Sequence, residues 1–175
     1  MSGTSAITGL LHVAIKTMDL ESTVAFYTEV IGLRSVYRPD FGFPGAWLGV
    51  PTPVGEAIIH LYAGGPALAA GNGVVPQHTG AIDHLSVTAI GWNGFRERFE
   101  RFGLPWREFV IPNTTYWQLF VFDPNGVQLE LTFDAAAERI PVPDIAAEKK
   151  YQAGELFFDP AVYVGLLQRI KQCAA

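Results

Sequence analysis

One cysteine, Cys173, is all that 175 residues contain. An intrachain disulfide framework is therefore excluded, and so is a Cys-x-x-Cys metal or redox pair. Basic residues are also scarce. Twelve Lys and Arg stand against 17 Asp and Glu, for a net charge of −5, and they form no run. That balance argues against a nucleic-acid partner. No uninterrupted apolar stretch reaches the roughly 18 residues of a membrane span, so no membrane partner is expected. The opening MSGTSAITGLL has neither a basic region nor a long apolar core, and it does not read as a leader peptide. No phosphate-cradling glycine loop and no Ser/His/Asp order is evident. These absences together point to a soluble protein in a reducing, cytoplasmic setting.

What is present is apolar. Residues of hydrophobic type make up 49% of the chain and aromatic ones 13%, enough for the core of one domain or of two small fused modules. The chain also repeats itself. HVAIKTMDLESTVAFYTEVIGL, from His12, reads as a strand followed by a helix. Asp19 suits the N-cap, Val24, Tyr27, Val30 and Ile31 form an apolar stripe, and Gly32 suits a left-handed stop. HLSVTAIGWNGFRERFERFGL, from His84, has the same layout, with Phe95, Phe99 and Phe102 as the stripe and Gly103 as the stop. Further on, residues 46–64 correspond to residues 116–134. His12 and His84 lie 72 positions apart, and Trp47 and Trp117 lie 70 apart, as do His60 and Glu130. A near-constant offset predicts two copies of one unit, each a strand, a helix and a run of strands. The expected boundaries are 8–66 and 80–134, with a Gly/Ala/Pro-rich linker over 67–79 and an extension over 135–175.

Each copy carries one polar or ionisable group near its first strand and one near its last. These are His12 and His60, then His84 and Glu130. Strand alternation puts the apolar neighbours toward the helix and these four groups away from it. A lone strand histidine or glutamate is usually a solvated or satisfied residue. Four at equivalent places in two repeats predict a metal site instead, since imidazole and carboxylate hold divalent first-row metals.

LHVAIKTMDLESTVAFYTEVIGL, IDHLSV and FVFDPNGVQLELTF together resemble the vicinal oxygen chelate superfamily, which includes glyoxalases, extradiol dioxygenases and bleomycin-resistance proteins. The likeness covers about 10–134. It implies an α+β fold in which two βαβββ modules form an open, cup-shaped mixed sheet around a metal, here extended by a C-terminal helix. It also implies His12, His84 and Glu130 as metal ligands, with His60 at the position where glyoxalases and epimerases often carry Glu or Gln. The expected cofactor is a divalent ion (Fe, Ni, Zn, Mn or Co), the expected partner a small molecule, and the expected assembly a homodimer.

Two chemistries fit the donor set. If His60 also binds, two positions remain for vicinal substrate oxygens, which is Lewis-acid lyase or isomerase chemistry. If it does not, the three-residue set suits non-haem Fe(II) and dioxygen. Extradiol enzymes also carry a catalytic His and Tyr in the second module. Here no His follows His84, and Tyr116 is the nearest tyrosine, so the Lewis-acid reading is preferred, with His60 and Tyr116 as candidate catalytic groups. A bleomycin-resistance-like binding protein is the non-enzymatic alternative. Tyr116, Trp117 and Gln118 are candidates for the pocket wall. RPDFGFPGAWLG, 38–49, reads as a lid or a packed loop, and His78 as a proton shuttle or a solvated loop residue. DPAVYVGLLQRIKQ reads as one helix capped by Asp159, with an apolar side of Val162, Leu166, Leu167 and Ile170.

Overall fold

The computed structural model describes residues 9–51, 56–69 and 71–173. The first residues, which bear on the leader-peptide expectation, lie outside them, as do four residues of the 46–64 repeat segment. Strand β1 (Val13–Lys16) leads to helix α1 (Leu20–Ala25), whose first turn is capped by Asp19 accepting from the Ser22 amide at 3.0 Å. The helix runs on as a π-helical turn over Phe26–Val30 and stops at Gly32, whose φ of +88° an L-residue adopts only with strain. Strands β2 (Arg34–Val36), β3 (Gly45–Gly49) and β4 (Ala57–Tyr62) complete a four-stranded sheet of order β1-β4-β3-β2. The β1–β4 pair is parallel and the other pairs are antiparallel.

A one-turn helix, α2 (Gly65–Leu68), interrupts the segment that composition marks as least regular. The second copy repeats the plan with β5 (Leu85–Thr88), α3 (Trp92–Arg101), β6 (Trp106–Val110), β7 (Tyr116–Phe122) and β8 (Gln128–Asp134), in the order β5-β8-β7-β6. The fold is therefore α+β, with two open mixed sheets, each covered on one face by its helix. Alternate strand residues supply the core: Ile15, Leu48, Ile59 and Leu61 in the first sheet, and Leu119, Leu129, Leu131 and Phe133 in the second. They pack with Phe26, Val30, Trp92, Phe95 and Phe99 from the helices as one continuous cluster.

Asp123, in the Asp-Pro-Asn-Gly turn between β7 and β8, joins the two copies. Its carboxylate is fully buried and accepts from the amides of Asn125 and Val127, both at 2.8 Å, from the Asn125 side chain at 3.1 Å and from the Tyr27 hydroxyl at 3.1 Å. Burial pushes its pKa up even against these four donors. Tyr27 comes from the first copy, so one side chain fixes a turn in one module and a helix in the other. Arg98 adds a second tie by donating to the Val30 carbonyl at 2.8 Å.

The segment after β8 is not an appendage. Helix α4 (Ala135–Glu138) turns the chain so that Glu138 accepts from the amides of Gly91 and Trp92, both at 2.8 Å, and caps α3. Lys150 bridges Glu108 on the edge strand β6, and the Tyr151 amide donates to the Glu108 carbonyl. Phe157 and Phe158 then pack on Phe122. The single helix expected from Asp159 is broken. A 3-10 turn spans Pro160–Tyr163, Gly165 adopts a φ of +74°, and α5 (Leu166–Cys173) follows as a separate helix. The break lets Tyr163 donate to the Phe122 carbonyl while Leu166 and Ile170 remain buried, and Lys171 of α5 pairs with Glu21 of α1 at 2.9 Å. Among the described residues no helix is long and apolar enough to cross a membrane.

The Asp123 junction yields a stability prediction. Tyr27→Phe should cost about 1 kcal/mol in urea unfolding, one net hydrogen bond. Asp123→Ala should cost roughly 2–4 kcal/mol, because it strands several buried donors at once. Equal, small losses in both variants would show that the junction does not couple the modules.

Candidate metal centre

The parallel β1–β4 and β5–β8 ladders put the four predicted groups in two pairs. In the first module Ala14 is registered on His60, so His12 is its diagonal neighbour. The two imidazoles stack with ring centroids 3.8 Å apart and planes 16° from parallel. Trp47, registered on His60 from β3, stacks on its other face at 4.2 Å and 10°. His60 is 8% exposed. Burial, then the neighbouring His12 and the Arg38 charge, hold its pKa below the ordinary imidazole value, so the ring is neutral near pH 7. The Nδ1 of His12 is buried and has no hydrogen-bond partner.

In the second module Ser86 is registered on Glu130, and His84 lies diagonal to it. His84 Nε2 stands 3.2 Å from Glu130 Oε2, and its Nδ1 stands 2.7 Å from the Asp83 carboxylate. Glu130 Oε1 accepts from Ser86 Oγ at 2.6 Å and from Thr132 Oγ1 at 2.7 Å. Glu130 is 7% exposed, so it is not the solvated strand residue that a single glutamate usually is. His12, His84 and Ser86 share the lining of a cleft of about 340 Å³ between the two modules.

Whether these residues suit a metal is decided by their donor atoms. Two ligands of one ion, each about 2.1 Å from it and at roughly a right angle, lie about 3 Å apart. The 3.2 Å between His84 Nε2 and Glu130 Oε2 meets that spacing. With Nδ1–H donating to Asp83, Nε2 is left as the coordinating atom, and the two hydroxyls occupy Oε1 and leave Oε2 facing it. The unpartnered His12 Nδ1 is a third donor of the right kind. His60 is different. Imidazole lone pairs lie in the ring plane, so face-to-face rings point theirs side by side rather than toward one point. As placed, the His12–His60 pair offers an ion one imidazole. Among the described residues no three His, Cys, Asp or Glu side chains already converge on a single point. The donor atoms are of the kind that suits a divalent ion.

Other expected residues lie elsewhere. Tyr116 is half exposed and registered on Asp134, four residues from Phe120, which is the one registered on Glu130. At the rise of a strand that is about 13 Å away. Trp117 is buried on the helix side against Trp92, so of the three candidate wall residues Tyr116 and Gln118 share the face of Glu130, and Gln118 is the nearer. His78 is exposed, packs edge-on against Phe158, and its amide donates to the Asn125 carbonyl, so it pins the linker to the turn. Trp47 and Tyr151 had no assigned role. Trp47 was not legible from spacing, since Trp117, with the same 13-residue lead on Glu130, is registered on Phe133 instead. Tyr151 was not legible either, because the extension carries no repeat. Its ring stacks on Phe120 at 3.7 Å and 10°, and its hydroxyl accepts from Gln128 at 3.3 Å and lies 3.5 Å from Asp83. Burial raises its pKa, so the phenol stays protonated.

Because Asp83 holds the His84 tautomer, Asp83→Asn should weaken metal binding by roughly 10–100-fold. Competition with a fluorescent chelator measures this, and unchanged affinity would remove Asp83 from the site.

Comparison with known proteins bears on this geometry. A family model described as the Glyoxalase/Bleomycin resistance protein/Dioxygenase superfamily matches residues 9–131. Lactoylglutathione lyase GLX1 of Arabidopsis thaliana is 28% identical over 176 residues, covering 93% of this chain; the chain spans 57% of that relative's length. Among solved structures, a glyoxalase family protein from Bacillus anthracis shares 19% identity with a TM-score of 0.56, covering 75% of this chain and 99% of that one. A variant of the fosfomycin resistance protein FosX from Listeria monocytogenes, complexed with Mn(II) and 1S,2S-dihydroxypropylphosphonic acid, shares 17% identity with a TM-score of 0.53, covering 74% and 94%. At these identities the two structures establish the fold alone.

Proposed function

The chain belongs to the Glyoxalase/Bleomycin resistance protein/Dioxygenase superfamily, and from that premise we propose that it is a metal-dependent lyase or isomerase acting on a small molecule through two vicinal oxygens. The observation that carries this reading is the arrangement around Glu130. A buried carboxylate stands with one oxygen tied by two hydroxyls and the other 3.2 Å from an imidazole nitrogen. That arrangement supports a cation shared by Oε2 and Nε2.

His12, His84 and Glu130 hold the ion in this reading, and the bound ion supplies Lewis acidity toward the two oxygens. His60 stands beside His12, buried and neutral, and takes a proton at a ring nitrogen from the substrate carbon next to a carbonyl. Trp47 keeps the His60 ring from turning. Phe120 and Tyr151 keep water from the Glu130 side of the cup. The Mn(II) and vicinal diol in the FosX complex are consistent with this chemistry.

One observation favours a second reading. With His60 stacked rather than converging, the ligand set has three members. That set leaves room for dioxygen at Fe(II), as in a ring-cleaving dioxygenase.

Elemental analysis of protein purified without oxygen or added metal separates these readings. About one Ni, Zn, Mn or Co per chain is expected. About one Fe, with oxygen uptake on catechols, selects the dioxygenase. No metal even after reconstitution leaves a binding protein. Glu130→Gln should lose the metal. His60→Ala should keep it while turnover drops at least a hundredfold, whereas metal loss in that variant would make His60 a ligand.

A further inference from the structure

Arg38 opens the segment RPDFGFPGAWLG, and the chemistry above does not use it. Its guanidinium carbon sits 4.9 Å from the ring centroid of Phe41 and 4.7 Å from that of Phe43. The group also lies on Gly45 of β3. A Cβ at that position would meet Arg38 Nη2 at 3.0 Å and Cζ at 3.1 Å. Gly45 and Trp47 alternate onto the same face of β3, about 7 Å apart. Trp47 is the ring that stacks on His60. Arg38 therefore stands on the site face of the first sheet.

Its charge has no counterpart. Nε and Nη2 are buried and donate to nothing. Arg38 forms no ion pair among the described residues, and the four strands of the first sheet contain no Asp or Glu. Aromatic faces stabilise a guanidinium, but they leave its in-plane N–H groups unanswered. Two guanidinium nitrogens buried without hydrogen bonds are costly to the fold, which points to a ligand that completes them. The planar donor fork matches a carboxylate.

We propose that Arg38 is a carboxylate-binding site, and that the substrate is a small acid. Its carboxylate pairs with Arg38, its apolar part lies on Trp47, and its vicinal oxygens lie toward Glu130. Phe41, which is 51% exposed and packs 5.9 Å from Trp47, is the cover over this subsite. Residues 38–44 are thus both cover and recognition element, while 45–49 form strand β3 beneath them. Assigning the carboxylate to the substrate rests on the function proposed above, but the anion site itself does not.

The test uses metal-free full-length protein, with phenylacetate and its neutral amide as probes in calorimetry at low salt. Phenylacetate should bind at least tenfold more tightly than phenylacetamide. Arg38→Gln should remove that preference, and Arg38→Lys should restore it only in part. Arg38→Met should also lose binding, yet unfold at the same or higher urea concentration, because it removes an unanswered charge. Equal binding of the two probes, no binding of phenylacetate, or retained preference in Arg38→Gln would overturn the proposal. So would marked destabilisation of Arg38→Met, which would make Arg38 a packing residue. The two readings fail separately. Protein that takes up no metal but binds phenylacetate through Arg38 loses the lyase reading and keeps the anion site. Protein that holds metal but ignores the probe does the reverse.

Discussion

The parallel pairing of the first strand of each module with its last governs the rest of the molecule. Parallel neighbours cannot be joined by a tight turn, so each pair needs a crossover, and α1 and α3 supply it. The crossover helix covers one face of its sheet and leaves the other open for chemistry. The same register makes His12 and His60 diagonal neighbours in one module and His84 and Glu130 diagonal neighbours in the other. A slip of one residue would turn both pairs into the helix-packed core. Asp123 then holds the modules together by sharing its buried carboxylate between the β7–β8 turn and Tyr27.

The two halves of the cup share geometry but differ in character. In the first, the rings of Trp47, His60 and His12 form a continuous stack, and Arg38 adds a positive charge with no acidic strand residue to offset it. In the second, Glu130 and Asp83 bracket His84, and hydroxyls of Ser86 and Thr132 hold Glu130. One half is cationic and aromatic, and the other is anionic and hydrogen-bonded. A small acid presented to a cation bound near Glu130 would meet both halves in a sensible order. The net charge of −5 conceals this division, because it sums over a surface that the cup does not share.

The C-terminal segment explains why Gln128 and Glu130 are buried although both lie on the polar side of β8. It leaves α4, joins the edge of β6 through Lys150, and lays Tyr151 over Phe120. It thus covers a sheet edge that would otherwise stand open and walls one side of the cup. It then returns to α1 through α5, closing a path across both modules.

The sequence by itself determined the duplication, the helix stops at Gly32 and Gly103, the Asp19 cap, and the pairs His12–His60 and His84–Glu130. Each of these is local or periodic. A left-handed stop, a capping carboxylate and a two-residue alternation act within a few residues of chain, and a repeat offset is visible by counting. Only the tertiary structure decided that His60 stacks instead of converging, that Phe120 and not Tyr116 is registered on Glu130, and that Tyr151 takes the place beside Phe120. It alone broke the expected terminal helix at Gly165, where the chain must turn to bury Leu166 and Ile170 on α1 while Tyr163 reaches β7. The unanswered charge of Arg38 was hidden for the same reason. A guanidinium's partners come from segments that sequence order leaves apart, so whether it has any is settled only when those segments meet.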